Sequence, residues 1–193
     1  MATQFVRRTT APSSTNKYYI KTTKGGYNRC IQIKKDGSVL PNCVGYAWGR
    51  YCEEQNIHNC NLSRGNAENW YPNTSDGYNR GKTPKLGAVI CWHSTRSGGH
   101  VAIVEKINKN GTILTSNSAY NGSRFYTKTL SPNNNYYMGS AYTFQGFIYP
   151  DKDFVDPDTP IPPPPPIPQD KNKKHKFKWV IYTKKFRSRQ LTQ

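Results

Sequence analysis

Cys43 stands in the stretch Leu40-Pro41-Asn42-Cys43-Val44-Gly45-Tyr46-Ala47-Trp48, which reads as the start of a helix with a thiol in its first turn. Proline is tolerated at a helix start, and an asparagine side chain can cap a backbone N–H there. Val44, Ala47, Trp48 and Tyr51 recur at i, i+3, i+4 and i+7, so one helix face packs inward. The dipole at that end favours thiolate over thiol, and a thiolate held at a helix N-terminus is a nucleophile. Taken alone, Cys43 reads first as a small buried cysteine on a core helix, since free cysteine is among the most buried residues. A nucleophilic thiol needs a base within reach, and a neutral imidazole suits neutral pH. His100 follows Gly98-Gly99 and opens a strand; His93, at the end of Ile90-Cys91-Trp92, is the alternative base.

The elements that must position these groups follow from the apolar pattern. The Cys43 helix fades near Gln55, and Asn66–Trp70 reads as a short helix. Strand-like runs lie at Tyr18–Lys21, Cys30–Ile33, Leu86–Trp92, His100–Ile107, Thr112–Asn117, Arg124–Thr127 and Phe144–Tyr149. Asn108-Lys109-Asn110-Gly111 is a hairpin turn. Helices followed by antiparallel strands make an α+β pattern. With a four-residue loop at 108–111, Asn117 falls on the His100 face, diagonal to it, and becomes the partner expected to orient the imidazole. Glu105 falls on the opposite face, so its replacement is expected to do little; an odd-length loop would favour Ser116 or Ser118 instead.

The chain has 193 residues and a formal net charge of +17. Residues 1–150 hold 18 Lys and Arg against 6 acids, and the last 43 residues hold 10 against 5. That balance implies an anionic partner: nucleic acid, anionic lipid or a phosphate-rich wall. The N-terminus has no apolar segment of a secretory signal, and no apolar run approaches the roughly 18 residues of a membrane-spanning helix. Five cysteines, an odd number, argue against a disulfide framework. Cys30, Cys52 and Cys60 read as structural thiols, and the four besides Cys43 could pair only outside a cell. His58-x-Cys60 and Cys91-x-His93 lack the usual zinc spacings. No metal and no cofactor is expected. The expected organisation is a flexible N-terminus at 1–16, a catalytic domain at 17–150, a Pro-rich linker at 151–170 and a basic tail at 171–193.

Four blocks in order carry a resemblance: Pro-Asn-Cys-Val-Gly-Tyr-Ala-Trp at 41–48, Gly-Asn-Ala with Trp70 at 65–70, Pro-Lys-Leu-Gly-Ala-Val-Ile-Cys-Trp at 84–92, and Gly-Gly-His-Val-Ala-Ile-Val-Glu at 98–105. Together they resemble a CHAP domain, a cysteine, histidine-dependent amidohydrolase/peptidase, over about residues 18–149. A cysteine on a helix followed by a histidine on a later strand is also the papain-like order. The resemblance implies a papain-like fold, helices packed on an antiparallel sheet, and cleavage of peptidoglycan as an N-acetylmuramoyl-L-alanine amidase or a peptide endopeptidase. It implies Cys43 as nucleophile, His100 as base and Asn117 as its partner. The Pro-rich spacer and basic tail look most like a lytic enzyme carried by a bacteriophage of Gram-positive hosts, made in the host cytoplasm and acting at the cell wall.

The sequence also departs from the family. Many relatives carry Glu-x-Asn where this chain has Thr115-Ser116-Asn117, so Thr115 takes the glutamate position. The clustered acids of a calcium loop are reduced to Asp36, and calcium is not expected. The papain glutamine that donates to the oxyanion would fall on Gly37. The Cys43 backbone N–H remains as a donor, with Asn42 a candidate for the second.

Three function classes compete at this stage: a wall hydrolase, a virion structural or wall-anchoring protein with an inactive fold of this kind, and a basic nucleic-acid-binding protein. No recognised nucleic-acid motif accompanies the charge, so specific nucleic acid is not an expected partner. Peptidoglycan is, with the tail as a segment for teichoic acid or anionic lipid.

Overall fold

A computed structural model describes residues 3–19 and 41–159. The strands expected at 18–21 and 30–33, the proline run from Pro160 and the basic tail lie outside or largely outside those residues. Helix α1 spans Cys43–Gln55. The strands are β1 (Thr3–Gln4), β2 (Arg80–Gly81), β3 (Val89–Ser94), β4 (His100–Ile107), β5 (Ile113–Ser118), β6 (Phe125–Leu130), β7 (Tyr142–Ile148) and β8 (Phe154–Val155). Six of them form one antiparallel sheet in the order β2-β7-β3-β4-β5-β6. Strands β3 to β6 are a meander, and β7 returns to the far side of β3. One helix against an antiparallel sheet is the α+β arrangement expected. The short helix expected at 66–70 is a single 3-10 turn, Ala67–Asn69.

Alternation along the central strands gives the sheet two apolar faces. Val89, Cys91, Val101 and Ile103 pack with Val44, Ala47, Trp48 and Tyr51 of α1. Ala88, Ile90, Trp92, Ala102 and Val104 pack on the other side, under Tyr136 and Phe147. Strands β3 and β4 are therefore apolar on both faces, and their sequences read as continuous apolar runs rather than alternating ones.

Helix α1 begins where its signals put it. The Asn42 side-chain oxygen accepts from the Gly45 N–H at 3.0 Å. Asn56 closes the helix in a left-handed conformation, φ 55°, with its N–H on the carbonyls of Cys52 and Glu53. The Ser118 hydroxyl donates to the Pro41 carbonyl, so the end of β5 is tied to the residues that start the helix.

The N-terminal residues correct the reading from composition. Residues 3–16 were expected to be flexible, yet Phe5 is 1% exposed and packs edge-on against Phe154 with ring centres 5.2 Å apart. Strand β1 pairs in parallel with β8, beyond residue 150, so the folded unit runs past the expected domain end. The Arg8 N–H donates to Glu105 at 2.8 Å, and its guanidinium binds Glu53 at 2.6 Å. One buried aromatic and two arginines with carboxylate partners, Arg7 on Asp156 and Arg8 on Glu53, anchor a segment whose average composition is polar.

Cys52 and Cys60 form a disulfide with Cα atoms 5.6 Å apart, where free structural thiols were expected. The bridge ties the last turns of α1 to the loop that leads to the Ala67–Asn69 turn. It also commits Cys60, so the four residues weighed as zinc ligands are not assembled. Cys91 is a free, buried strand residue.

Candidate active site

Cys43 and His100 approach from opposite faces of the sheet. The helix that carries Cys43 lies on one face, while His100 shares the other with Trp92, Ala102 and Val104. Both reach one cleft because each is the first residue of its element. Both border a cleft of about 280 Å3, with Asn42 beside them and Asn66, Tyr120 and Tyr142 around the mouth. Cys43 is half-buried. Tyr120 is 81% exposed, an aromatic ring set out on the cleft's edge.

The Cys43 thiol is pushed above its usual pKa by burial. The backbone N–H groups of Val101, Val44 and Cys43 itself pull the other way with less effect. The dipole argument, taken alone, predicted a thiolate; desolvation of the charged form outweighs it here. The contact with Val101 places the sulfur against β4 one residue from His100.

His100 is 7% exposed, with its ring centre 5.7 Å from that of Trp92 and 6.2 Å from that of Tyr142. Burial pushes its pKa down to about 4; the Asn117 hydrogen bond resists that shift and the Lys128 charge adds to it. At neutral pH the resting pair is therefore a thiol beside a neutral imidazole, not an ion pair.

His100 Nε2 lies 3.0 Å from Asn117 Oδ1. The route to this contact differs from the one expected. The Gly111 N–H bonds the Asn108 carbonyl at 2.9 Å, Asn108 and Thr112 are joined across the loop at 2.8 Å, and Gly111 takes φ 79°. This is a three-residue hairpin loop closed by a left-handed glycine, an odd length that by itself would turn Asn117 to the wrong face. A bulge at Glu105 corrects it: Lys106 pairs with Leu114, Val104 with Thr115 and Ile103 with Ser116. Continuing that register sets Asn117 opposite Ala102, on the His100 face.

Of the other candidates, His93 and Glu105 do not line this cleft. His93 is half-exposed and lies 3.7 Å from Glu68. Glu105 is fully buried between helix and sheet. Asn42 borders the cleft with its side-chain oxygen engaged in the helix cap. Gly37 and Asp36 lie outside the described residues.

Residues 33–119 match the CHAP domain family model. A protein of Staphylococcus aureus strain NCTC 8325 named "Probable autolysin LDP" is 35% identical over 99 residues, 50% of this chain and 34% of that protein. The staphylococcal secretory antigen SsaA of the same strain is 42% identical over 85 residues, 42% of this chain and 31% of that one. The chain thus spans about a third of the length of these curated relatives. The crystal structure of an N-acetylmuramoyl-L-alanine amidase from Staphylococcus aureus is similar over 54% of this chain and 30% of that chain, at 24% identity and a TM-score of 0.42.

Tyr120 and the contact that Thr115 makes are two features of this cleft that the sequence did not give. Tyr120 sits in a polar loop, where nothing distinguishes it from the other thirteen tyrosines. Thr115 touches Asn117: the Asn117 Nδ2 group donates to the Thr115 hydroxyl at 3.0 Å and to its carbonyl at 3.3 Å. The two-residue spacing puts both side chains on one face, and that spacing was the available signal.

Proposed function

We propose that this chain is a peptidoglycan hydrolase that cuts an amide bond through a Cys43 thioester, with His100 as base and Asn117 as the residue that orients it. The observation that carries the reading is the His100–Asn117 contact at the cleft that Cys43 borders. With Nε2 on Asn117, Nδ1 is the nitrogen left to take the thiol proton. The sulfur attacks the amide carbonyl as its proton passes to His100. The C–N bond then breaks and the imidazolium returns that proton to the leaving amine. Water, deprotonated by His100, attacks the thioester carbonyl and releases the sulfur. The Cys43 backbone N–H at the helix start would bind the oxyanion, with Asn42 as the candidate for a second donor.

The bond cut is either the amide between glycan and peptide, as in an amidase, or a peptide bond, as in an endopeptidase. The Cys52–Cys60 disulfide supports work in an oxidising space outside a cytosol. The Pro-rich and basic composition of residues 157–193 supports a lytic protein borne by a bacteriophage of Gram-positive hosts, with the tail held on an anionic wall polymer or lipid.

Purified Gram-positive walls test the reading. The protein should clear them and release new amino termini, with no new reducing ends. Cys43→Ala should abolish clearing while keeping the same near-ultraviolet circular dichroism. Clearing by the Cys43→Ala protein at the unmodified rate would refute the mechanism.

A further inference from the structure

We propose that Thr115 is a positioning residue that fixes which nitrogen of His100 carries the proton. The inference rests on the reading of His100 as the base for Cys43.

The Thr115 hydroxyl has one proton, and it goes to the Lys128 carbonyl at 2.9 Å. The oxygen therefore meets the Asn117 Nδ2 group, 3.0 Å away, with a lone pair. The Thr115 carbonyl, an acceptor only, takes the same NH2 group at 3.3 Å. Two acceptors on one side of the Asn117 amide hold its nitrogen there, so its oxygen faces His100. That oxygen, 3.0 Å from Nε2, can only accept, so Nε2 must be the protonated nitrogen. A neutral imidazole has one N–H, and Nδ1 is left bare to receive a proton from Cys43. The chain of donors runs one way, from His100 through Asn117 and Thr115 to the Lys128 carbonyl. Thr115 and Asn117 are fully buried, so water does not compete for these groups.

Valine has nearly the shape of threonine without the hydroxyl. In Thr115→Val the Asn117 NH2 group keeps only the longer contact to the residue 115 carbonyl. With one of the two acceptors gone, less opposes turning of the amide, which would present Nδ2 to Nε2. Nε2 must then accept, Nδ1 carries the proton, and the base is blocked.

Long-range proton–nitrogen NMR on full-length protein with 15N-labelled histidine reads the His100 tautomer directly, without turnover. Wild type should show the Nε2–H form. Thr115→Val should shift His100 toward Nδ1–H and lower the saturating rate of wall cleavage on the order of 10²-fold, with little change in KM. Thr115→Ser, which keeps the hydroxyl, should retain both the tautomer and the rate. An Nδ1–H form in the wild type would overturn the proposal. So would a Thr115→Val protein that keeps the Nε2–H signal and its rate, or a Thr115→Ser protein that loses as much as Thr115→Val. Should Thr115→Val fail to fold, Thr115→Ala removes the same hydroxyl, and the wild-type tautomer decides by itself. Absence of Cys43-dependent cleavage by the wild type would refute the function and leave the tautomer result standing.

Discussion

Arg50 on α1 and Glu105 on β4 are joined by two hydrogen bonds in the layer between helix and sheet, Nε to Oε1 at 3.0 Å and Nη2 to Oε2 at 2.9 Å. The same carboxylate accepts from the Ser116 hydroxyl at 2.6 Å and from the Arg8 N–H at 2.8 Å. Glu105 is also the bulge residue that returns β5 to the register Asn117 needs. From sequence it was expected to matter little; the structure makes it the ionic tie between helix, sheet and N-terminal segment. Glu105→Gln would leave Arg50 with Glu53 at 2.8 Å and Glu54 at 3.2 Å, but it removes the charge that Arg50, Ser116 and the Arg8 N–H share, at a cost of about 1–3 kcal/mol. Glu105→Gln should lose about that much stability in urea denaturation, with the rate of the folded fraction retained. A melting midpoint equal to wild type would refute this role.

Local signals were legible, and long-range corrections were not. Asn42, the apolar period of α1 and the strand after Gly98-Gly99 each act through neighbours in sequence, and each was readable. The Asn117 assignment rested on a loop length that the structure contradicts. Two shifts, in the loop and at Glu105, cancel, because a strand face depends only on whether the sum of register shifts is odd or even. Nothing in Val104-Glu105-Lys106 announces a bulge; it becomes visible only through Arg50, fifty-five residues earlier. The Phe5–Phe154 contact and the Cys52–Cys60 bridge were hidden for the same reason. Their partners are chosen by the folded geometry, which average composition and a count of cysteines do not report.

The acid limb should report His100. Its folded pKa of about 4 lies below the unfolded value of about 6.5. Protonation therefore favours the unfolded chain. The stability that His100 contributes is complete above pH 6.5 and is lost as pH falls toward 4, amounting to roughly 3 kcal/mol. Glu54, pushed up by burial, has the opposite sign, so a difference measurement is needed. Urea denaturation of wild type minus His100→Gln, across pH 7 to 4, should show that loss; a flat difference would count against a buried neutral imidazole. The raised Cys43 pKa predicts a companion result. Its alkylation by iodoacetamide should keep rising above pH 8, with no plateau in the acid range as a preformed ion pair would give.

The disulfide should stabilise the fold without entering the chemistry. A bridge across eight residues removes unfolded-state entropy equivalent to about 2–3 kcal/mol. The double variant Cys52→Ser with Cys60→Ser should lose that much in urea denaturation, while Cys43 alkylation at pH 8 proceeds at the wild-type rate. Dithiothreitol should lower the wild-type midpoint and leave that of the double variant unchanged. Equal midpoints with and without reductant in wild type would refute the bridge.

Tyr120 offers a ring to whatever enters the cleft. An aromatic ring left 81% exposed beside Cys43 and His100 does no packing work that its loss would reveal. Tyr120→Ala should raise KM for walls severalfold, consistent with a stacking contact of about 1 kcal/mol, and leave kcat and melting temperature unchanged. A fall in kcat at unchanged KM would mean that the ring acts on the chemistry instead.

Gly98 and Gly99 lie side by side before His100, yet substitution should separate them sharply. Gly99 takes φ +83°, where a side chain is strained, and a Cβ there would lie 2.5 Å from the Glu68 nitrogen and 2.6 Å from the Trp92 carbonyl oxygen. Both are backbone atoms. The Glu68 N–H is held on the Gly98 carbonyl at 2.9 Å, and Trp92 is paired with His100 across the sheet. Neither can give without moving a cleft wall or the strand that carries the base. A Cβ at Gly98 would instead meet the Asn66 side chain at 3.1 Å, and that side chain can turn. Gly99→Ala should therefore cost about 2–4 kcal/mol from left-handed strain and overpacking, and lower kcat because His100 follows directly. Gly98→Ala should cost less than about 1 kcal/mol, on the scale of a surface change. Denaturation midpoints and wall-clearing rates for the two variants measure both effects. Equal losses at the two positions would show that crowding at the cleft entrance, not the backbone conformation at Gly99, is what the paired glycines relieve.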